Sequence, residues 1–381
     1  MGIKGSRSGF TIVELLIVIV VIAILAALSL VAFNGIRTRA EDASLQSETS
    51  QAAKKVLTYK SLNGEILPTD STMADLSVGS GHDLYYRLTP DGKNFCVAVN
   101  ITGSPERAYS ATSTNAVAKK GTCQGYILVP GNSALGTSDF WVMKYEAKNV
   151  SGVAMSQASG APWVSIIQSD AIAASQTTCE GCHLVSEAEW MTLAGNVLSV
   201  SSNWSGGVVG SGYIYSGHND GSPGNALVAS STDTDGYNGT GQSGTSSQRR
   251  TLTLTNGEVV WDLSGNIWEW TTGTLSGGQL PGVIGQPIQW QNWNDSQLSW
   301  NGLPSISRPT SLTSAYDLSL ITSWTIANGV GGLFSFHSDT LPRGFLRSGG
   351  WDAFPDVGVL TLHLGNVPSS TNEFIGFRVA R

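Results

Sequence analysis

The chain has 381 residues, a formal charge of −7, a pI near 5.2, only 13% charged residues and 45 glycines. This balance excludes a general electrostatic attraction to nucleic acid or anionic lipid, so no nucleic-acid partner is expected, and 41% hydrophobic content excludes a disordered chain. The length allows two or three domains, and four cysteines (Cys96, Cys123, Cys179 and Cys182) would most simply form two disulfides outside the cytoplasm.

The N-terminus bears on the compartment. Lys4 and Arg7 form a short basic leader, and residues 15–33 are apolar except for Ser29, long enough to span a bilayer with the basic end inside. A cleaved secretory signal would have its small-residue site after a shorter run; here Gly9 comes before it. Glu14 sits in this apolar stretch, where a carboxylate is costly unless a cation is near. Cutting between Gly9 and Phe10 would create that cation, the α-amino group of Phe10. The stretch Gly9-Phe10-Thr11-x-x-Glu14-Leu15-Leu16 ahead of an apolar helix resembles the type IV prepilins. The resemblance implies that a prepilin peptidase removes residues 1–9 and that the new Phe10 amine is methylated. It also implies that Glu14 pairs with the N-terminal amine of a neighbouring pilin subunit. The protein would then reside in the bacterial inner membrane before assembly and afterwards in an extracellular pilus at the cell surface. A plain single-pass anchor is the alternative.

A pilin helix is expected over 10–63, transmembrane over 10–33. Ile36, Ala40, Ala43, Ala52, Val56 and Tyr59 continue a helical spacing, and Asn63-Gly64 ends it. Residues 64–122 read as a small β-rich head: LYYRLTP, NFCVAVNI and AYSATS are strands, with turns at Pro90-Asp91-Gly92 and Thr102-Gly103-Ser104. A disulfide between Cys96 and Cys123 would close this block.

Composition then changes. All 12 Trp lie between Trp141 and Trp351, and no Lys follows Lys148, which sets off 123–381 as a second domain. It is rich in Gly, Ser, Thr and Asn. SDAIAAS and SEAEWMTLAGNVLS are its two helical candidates, the second with Ser186 and Glu189 spaced as a capping box. Residues 179–183, Cys-Glu-Gly-Cys-His, have the spacing of a c-type haem attachment site and could equally bind zinc or form a disulfide.

Four stretches, FWVMKYEAKN at 140–149, HLVSEAEWMTLAG at 183–195, VVWDLSGNIWEWTTG at 259–273 and LRSGGW…IGFRVAR at 346–381, resemble the formylglycine-generating-enzyme (sulfatase-modifying-factor) fold, a variant of the C-type lectin fold. The resemblance covers roughly 126–381 and implies an α+β protein: a long pilin helix with a small head, then an irregular lectin-like domain. It explains His183 as scaffold, so no haem is expected and Cys179 and Cys182 are expected to pair.

The formylglycine enzymes carry a cysteine pair between the R-G-G-S-W-like motif and G-F-R. Here that segment has no Cys, so binding rather than catalysis is expected. In the family, the segment matching WDLSGNIWEW holds calcium. The matching positions are the Asp262 and Glu269 carboxylates and the Gly265 and Ile267 carbonyls, hard oxygens suited to a hard cation. Trp261, Trp268 and Trp270 read as core.

Between Arg347-Ser-Gly-Gly-Trp351 and Ile375-Gly-Phe-Arg378, Leu360, Leu362 and Leu364 alternate with Val359, Thr361 and His363, which predicts a half-buried strand with the leucines inward. Around it, Asp352, Ala353, Phe354, Asp356, His363, Gly365, Asn366, Ser370, Asn372, Glu373 and Phe374 form a candidate ligand-binding set, aromatic residues beside acids. The pattern from Leu346 to Arg381 also resembles the variable segment of lectin-fold proteins diversified by retroelements, in which asparagine codons are rewritten. Glu373 departs from it, because a codon ending in a pyrimidine cannot encode Glu. The expected protein is a minor or tip pilin-like subunit displaying a lectin-like domain toward an extracellular protein or glycan. The alternatives are a secretion-system pseudopilin, which a basic patch would favour if it took up DNA, and a surface enzyme, which a reactive cysteine would favour.

Overall fold

The computed structural model describes residues 12–232, 248–353 and 356–381, apart from the side chains of residues 14, 31, 32, 319 and 320. Gly9, Phe10, the Glu14 carboxylate and Phe354 therefore lie outside the described residues.

Helix α1 runs from Ile12 to Leu62, 51 residues and about 75 Å of continuous helix. Its first half is apolar and exposed on every side, long and hydrophobic enough to cross a membrane. Its second half buries Leu45, Thr49, Ala52, Ala53 and Val56, the i, i+4, i+7 spacing of a single core-facing stripe. Ile36, Ala40 and Ala43, expected in that stripe, are exposed; near them the head reaches the helix through Arg107, which bonds to Glu41 and Asp42. Asn63 caps the helix end, its side-chain amide donating to the Tyr59 carbonyl at 2.8 Å, and Gly64 takes the left-handed conformation (φ +66°) that stops it.

The head is one antiparallel sheet of β1 (His82–Leu88), β2 (Phe95–Ile101), β3 (Ser104–Thr112) and β4 (Lys119–Lys120), in that order. The turns fall where the sequence puts them, with Gly92 and Gly103 at positive φ. Phe95, Val97 and Ala111 pack on Ala52, Ala53 and Val56 of the helix.

The large domain holds two principal sheets. One runs β5 (Tyr126–Val129), β6 (Phe140–Met143), β14 (Val379–Ala380) and β7 (His183–Leu184); the other runs β9 (Gln289–Gln291), β10 (Leu333–Ser335), β12 (Leu362–His363), β11 (Arg343–Ser348), β8 (Trp268–Leu275) and β13 (Ile375–Phe377). Helices α2 (Gln168–Thr178) and α3 (Glu187–Leu198) pack against them. Ser186 caps α3: its hydroxyl accepts the Glu189 amide, and the Glu189 carboxylate accepts the Ser186 amide. The chain is thus α+β, a long helix followed by a β-rich irregular domain.

Head and large domain share a core. Cys96, Ala98 and Tyr85 pack with Tyr126, Trp141 and Met143. Cys96 is disulfide-bonded to Cys123, and Cys179 to Cys182. Arg87 of β1 forms a two-point ion pair with Glu258 of the large domain, at 2.7 and 2.8 Å. Arg381 reaches back to the Ser110 hydroxyl at 2.8 Å.

The strand expected around residues 359–364 is shorter and more deeply placed. Only Leu362–His363 is extended in the sheet, and Val359 and Thr361 are as buried as the leucines. The Thr361 hydroxyl accepts the Gly358 amide at 2.7 Å, and Val359 joins the cluster around α3. Cover on both sides removes the inside–outside alternation that the period-two pattern implied.

Candidate ligand-binding face

Three buried arginines frame the large domain. Arg250 grips Asp262 through both carboxylate oxygens, at 2.6 and 2.7 Å. Arg378 grips Glu269 the same way, at 3.0 and 2.8 Å, and donates its remaining hydrogens to the Met143, Lys144 and Trp261 carbonyls at 2.9 Å. Arg347 pairs with Glu187 at 2.5 Å and donates to the Leu360, Thr361 and Ser307 carbonyls. Arg347 and Arg378 are wholly buried. Charges removed from water are tolerable only with every donor engaged, and the planar guanidinium fork meets that demand. Both ends of the segment 348–377 are therefore pinned to the core.

The same pairs decide the fit of calcium to the 262–269 loop. Each expected carboxylate ligand already has both oxygens on a guanidinium, and the Gly265 carbonyl accepts the Ile267 amide at 3.0 Å and the Ser348 hydroxyl at 3.2 Å. No group of three or more metal-ligating side chains occurs among the described residues. As the side chains stand, the set Asp262, Gly265, Ile267 and Glu269 does not fit a calcium ion, because both acids already serve internal cations. The loop is held in an unusual shape, with Asp262, Asn266 and Ser348 all at positive φ (52°, 71° and 70°). Gly265 cannot carry a side chain, since a Cβ there would sit 2.7 Å from the His218 carbonyl oxygen. Beneath it Glu146, bridged by the Asn266 side-chain amide at 2.8 and 3.0 Å, is pushed up to about 8, chiefly by burial and then by the Asp262 charge.

Above this frame the described part of the 352–374 segment meets aromatic rings from three other strands. Trp351 and Phe374 contact edge to face at 6.5 Å. Trp268 of β8 receives the chain at this point, its amide donating to the Phe374 carbonyl, and its ring lies 4.8 Å from His363. His363 stacks flat on Phe334 of β10, 4.4 Å away and 6° from parallel, and Trp290 of β9 closes the group at 5.2 Å from Phe334 and 6.3 Å from Trp268. Trp290, Phe334, Trp351, His363 and Phe374 are all half-buried. Burial, aided by the Arg343 charge, pushes His363 down to about 4, so it is neutral at physiological pH. Burial also raises the Asp356 carboxyl above its ordinary value.

Of the expected binding residues, Asp352, Ala353, His363, Gly365, Glu373 and Phe374 fall on or beside this aromatic group, with Glu373 the most exposed. Asn366, Ser370 and Asn372 run along another edge. The Asn366 carbonyl accepts the Gly344 amide, and the Asn372 carbonyl accepts the Ser165 amide ahead of α2. The Asp356 carbonyl accepts the Gly332 amide beside β10. Trp290 and Phe334 are missing from the sequence reading. They lie far from residue 352 along the chain, and no spacing links them; only the strand order β9-β10-β12 brings them to His363. All four cysteines are spent in disulfides. His183 of the Cys-Glu-Gly-Cys-His stretch is bonded to Glu189 at 2.8 Å.

The prokaryotic N-terminal methylation motif matches residues 4–30, and the sulfatase-modifying factor enzyme 1-like domain matches residues 106–381. No curated protein matches the chain. Among solved structures, it is similar to the Major Tropism Determinant P3c variant at 14% identity, covering 68% of this chain and 52% of that one with a TM-score of 0.32. Against the Major Tropism Determinant U1 variant the figures are 13%, 75%, 62% and 0.33. The chain thus spans between half and two-thirds of the length of those structures.

Proposed function

The chain belongs to the family of sulfatase-modifying factor enzyme 1-like domains, here behind a prokaryotic methylation motif, and on that premise we propose that it is a minor or tip subunit of a type IV pilus that displays a ligand-binding face. Prepilin peptidase removes residues 1–9, α1 holds the subunit in the inner membrane and then among other pilins, and the large domain projects outward to meet an extracellular ligand. The activity is adhesion or recognition rather than catalysis, and the segment 352–374 is its working surface, open to retroelement diversification. A single observation carries this reading: a half-exposed aromatic group sits on a segment whose two ends are locked by fully buried arginines. That is a rigid support under a changeable surface, the arrangement a binding site needs. The cysteine pair of the formylglycine enzymes has no counterpart there.

The test is attachment by piliated cells carrying Trp351→Ala or Trp290→Ala, scored against wild type and a deletion strain. Lost attachment with normal piliation supports the reading; wild-type attachment by both variants overturns it. Sequencing the locus across sibling cells addresses diversification, and identical codons everywhere at 352–374 would count against it.

A further inference from the structure

The binding face has a charge sign of its own. Between residues 352 and 374 there are Asp352, Asp356 and Glu373 and no Lys or Arg. Asp352 directly follows Trp351, in a turn closed by the Ala353 amide on the Gly350 carbonyl. Glu373 directly precedes Phe374. The two acids are thus the chain neighbours of the edge-to-face ring pair, Trp351 and Phe374. A third acid, Asp220, belongs to the loop whose Gly221 amide donates to the Trp351 carbonyl at 2.8 Å. The arginines that bracket the segment, Arg347 and Arg378, are fully buried on their own carboxylates, and Arg343 is held by Asp339 and the Gly365 carbonyl. His363 adds no positive charge at neutral pH.

An anionic ligand would meet these carboxylates, while the nearby arginines, Arg343, Arg347 and Arg378, are already held by acids of their own. A cation would meet carboxylates beside ring faces, the pairing that favours ammonium and guanidinium groups. Resting on the ligand-binding reading above, we propose that this face recognises a protruding Lys or Arg side chain of a protein partner, its charge set beside Asp352 and Glu373 and its stem against Trp351 and Phe374.

The test uses the full chain in detergent with three probes: penta-lysine, penta-glutamate and a neutral Gly-Ser peptide, titrated at low and high salt. Penta-lysine should bind, the other two should not, and the affinity should fall with salt. The Asp352→Asn/Glu373→Gln double variant and Trp351→Ala should each weaken it at least roughly tenfold. The control for the acidic charge of the chain is Glu65→Gln/Glu180→Gln, which removes the same charge elsewhere and should leave binding unchanged. Equal weakening by the control, or binding of penta-glutamate or the neutral peptide as tight as that of penta-lysine, overturns the proposal. The attachment assay separates the two levels. If Trp351→Ala abolishes attachment while penta-lysine fails to bind, the cation inference falls and the recognition reading stands. If peptide binding does not depend on Trp351 and attachment depends on neither Trp351 nor Trp290, both fall.

Discussion

The two arginines that bracket the C-terminal segment and the surface residues between them share one stretch of chain but obey opposite rules. Arg347 and Arg378 are wholly buried, each on a carboxylate and on backbone carbonyls contributed by distant parts of the domain. Between them, Asp352, Ala353, Asn366, Ser370 and Asn372 are half-exposed and Glu373 is exposed. The anchors couple many segments at once, so a change there propagates. The surface residues touch few neighbours, so a change there stays local. The contrast separates residues that hold the fold from residues that only cover it.

The sharpest way to break that contrast is at an anchor. Arg378→Ala leaves the Glu269 carboxylate buried without its partner and should cost about 3–5 kcal/mol, read from chemical unfolding of the full chain; a loss under about 1 kcal/mol would mean that the frame does not rest on this pair. Next in size are the disulfides. Opening Cys96–Cys123, which are 27 residues apart, should cost roughly 3.5 kcal/mol on the chain-entropy account, against roughly 1.6 kcal/mol for Cys179–Cys182, 3 residues apart. Cys→Ser pairs compared in the same unfolding assay would show whether that order holds. On the surface side, Glu373→Gln should shift stability by no more than about 0.5 kcal/mol, and a larger loss would show that the exposed face is itself structural.

An effect of similar size depends on pH. The Glu189 hydrogen bond, with the Glu189 charge behind it, holds His183 above its ordinary 6.5 despite burial. A raised folded-state value stabilises fully below pH 6.5 and is lost as pH rises through that value. His183 keeps 41% of its side chain exposed, so screening limits the effect to about 0.2–1 kcal/mol. Stability measured from pH 6 upward should show this decline in the wild type and lack it in His183→Gln. Smallest of all, a calcium chelator should leave the thermal midpoint unchanged, since Asp262 and Glu269 are committed to arginines; a clear drop would restore calcium to the loop.

Local chemistry made much of the molecule legible. The capping box at Ser186 and Glu189, the helix stop at Asn63-Gly64 and the head turns at Gly92 and Gly103 are each set by residues within a few positions of one another, so their patterns survive in one dimension. The family resemblance placed the WDLSGNIWEW loop and the GFR anchor, but not the ion pairs that Asp262 and Glu269 make. Their partners, Arg250 and Arg378, are 12 and 109 residues away, and only the folded chain sets those pairings. The leucine alternation at 360–364 was read as one face of a strand, and cover on the second face erased it.

The sequence by itself determined the N-terminal methylation motif, the long helix and the family of the large domain, because each is written in short-range spacing or in contiguous motifs. The tertiary structure alone decided which rings gather beside the C-terminal segment. Trp268, Trp290, Phe334 and His363 sit on β8, β9, β10 and β12, and they meet only because strand order carries distant segments into one sheet. Contacts of that kind follow from packing the whole chain at once, and no local pattern encodes them.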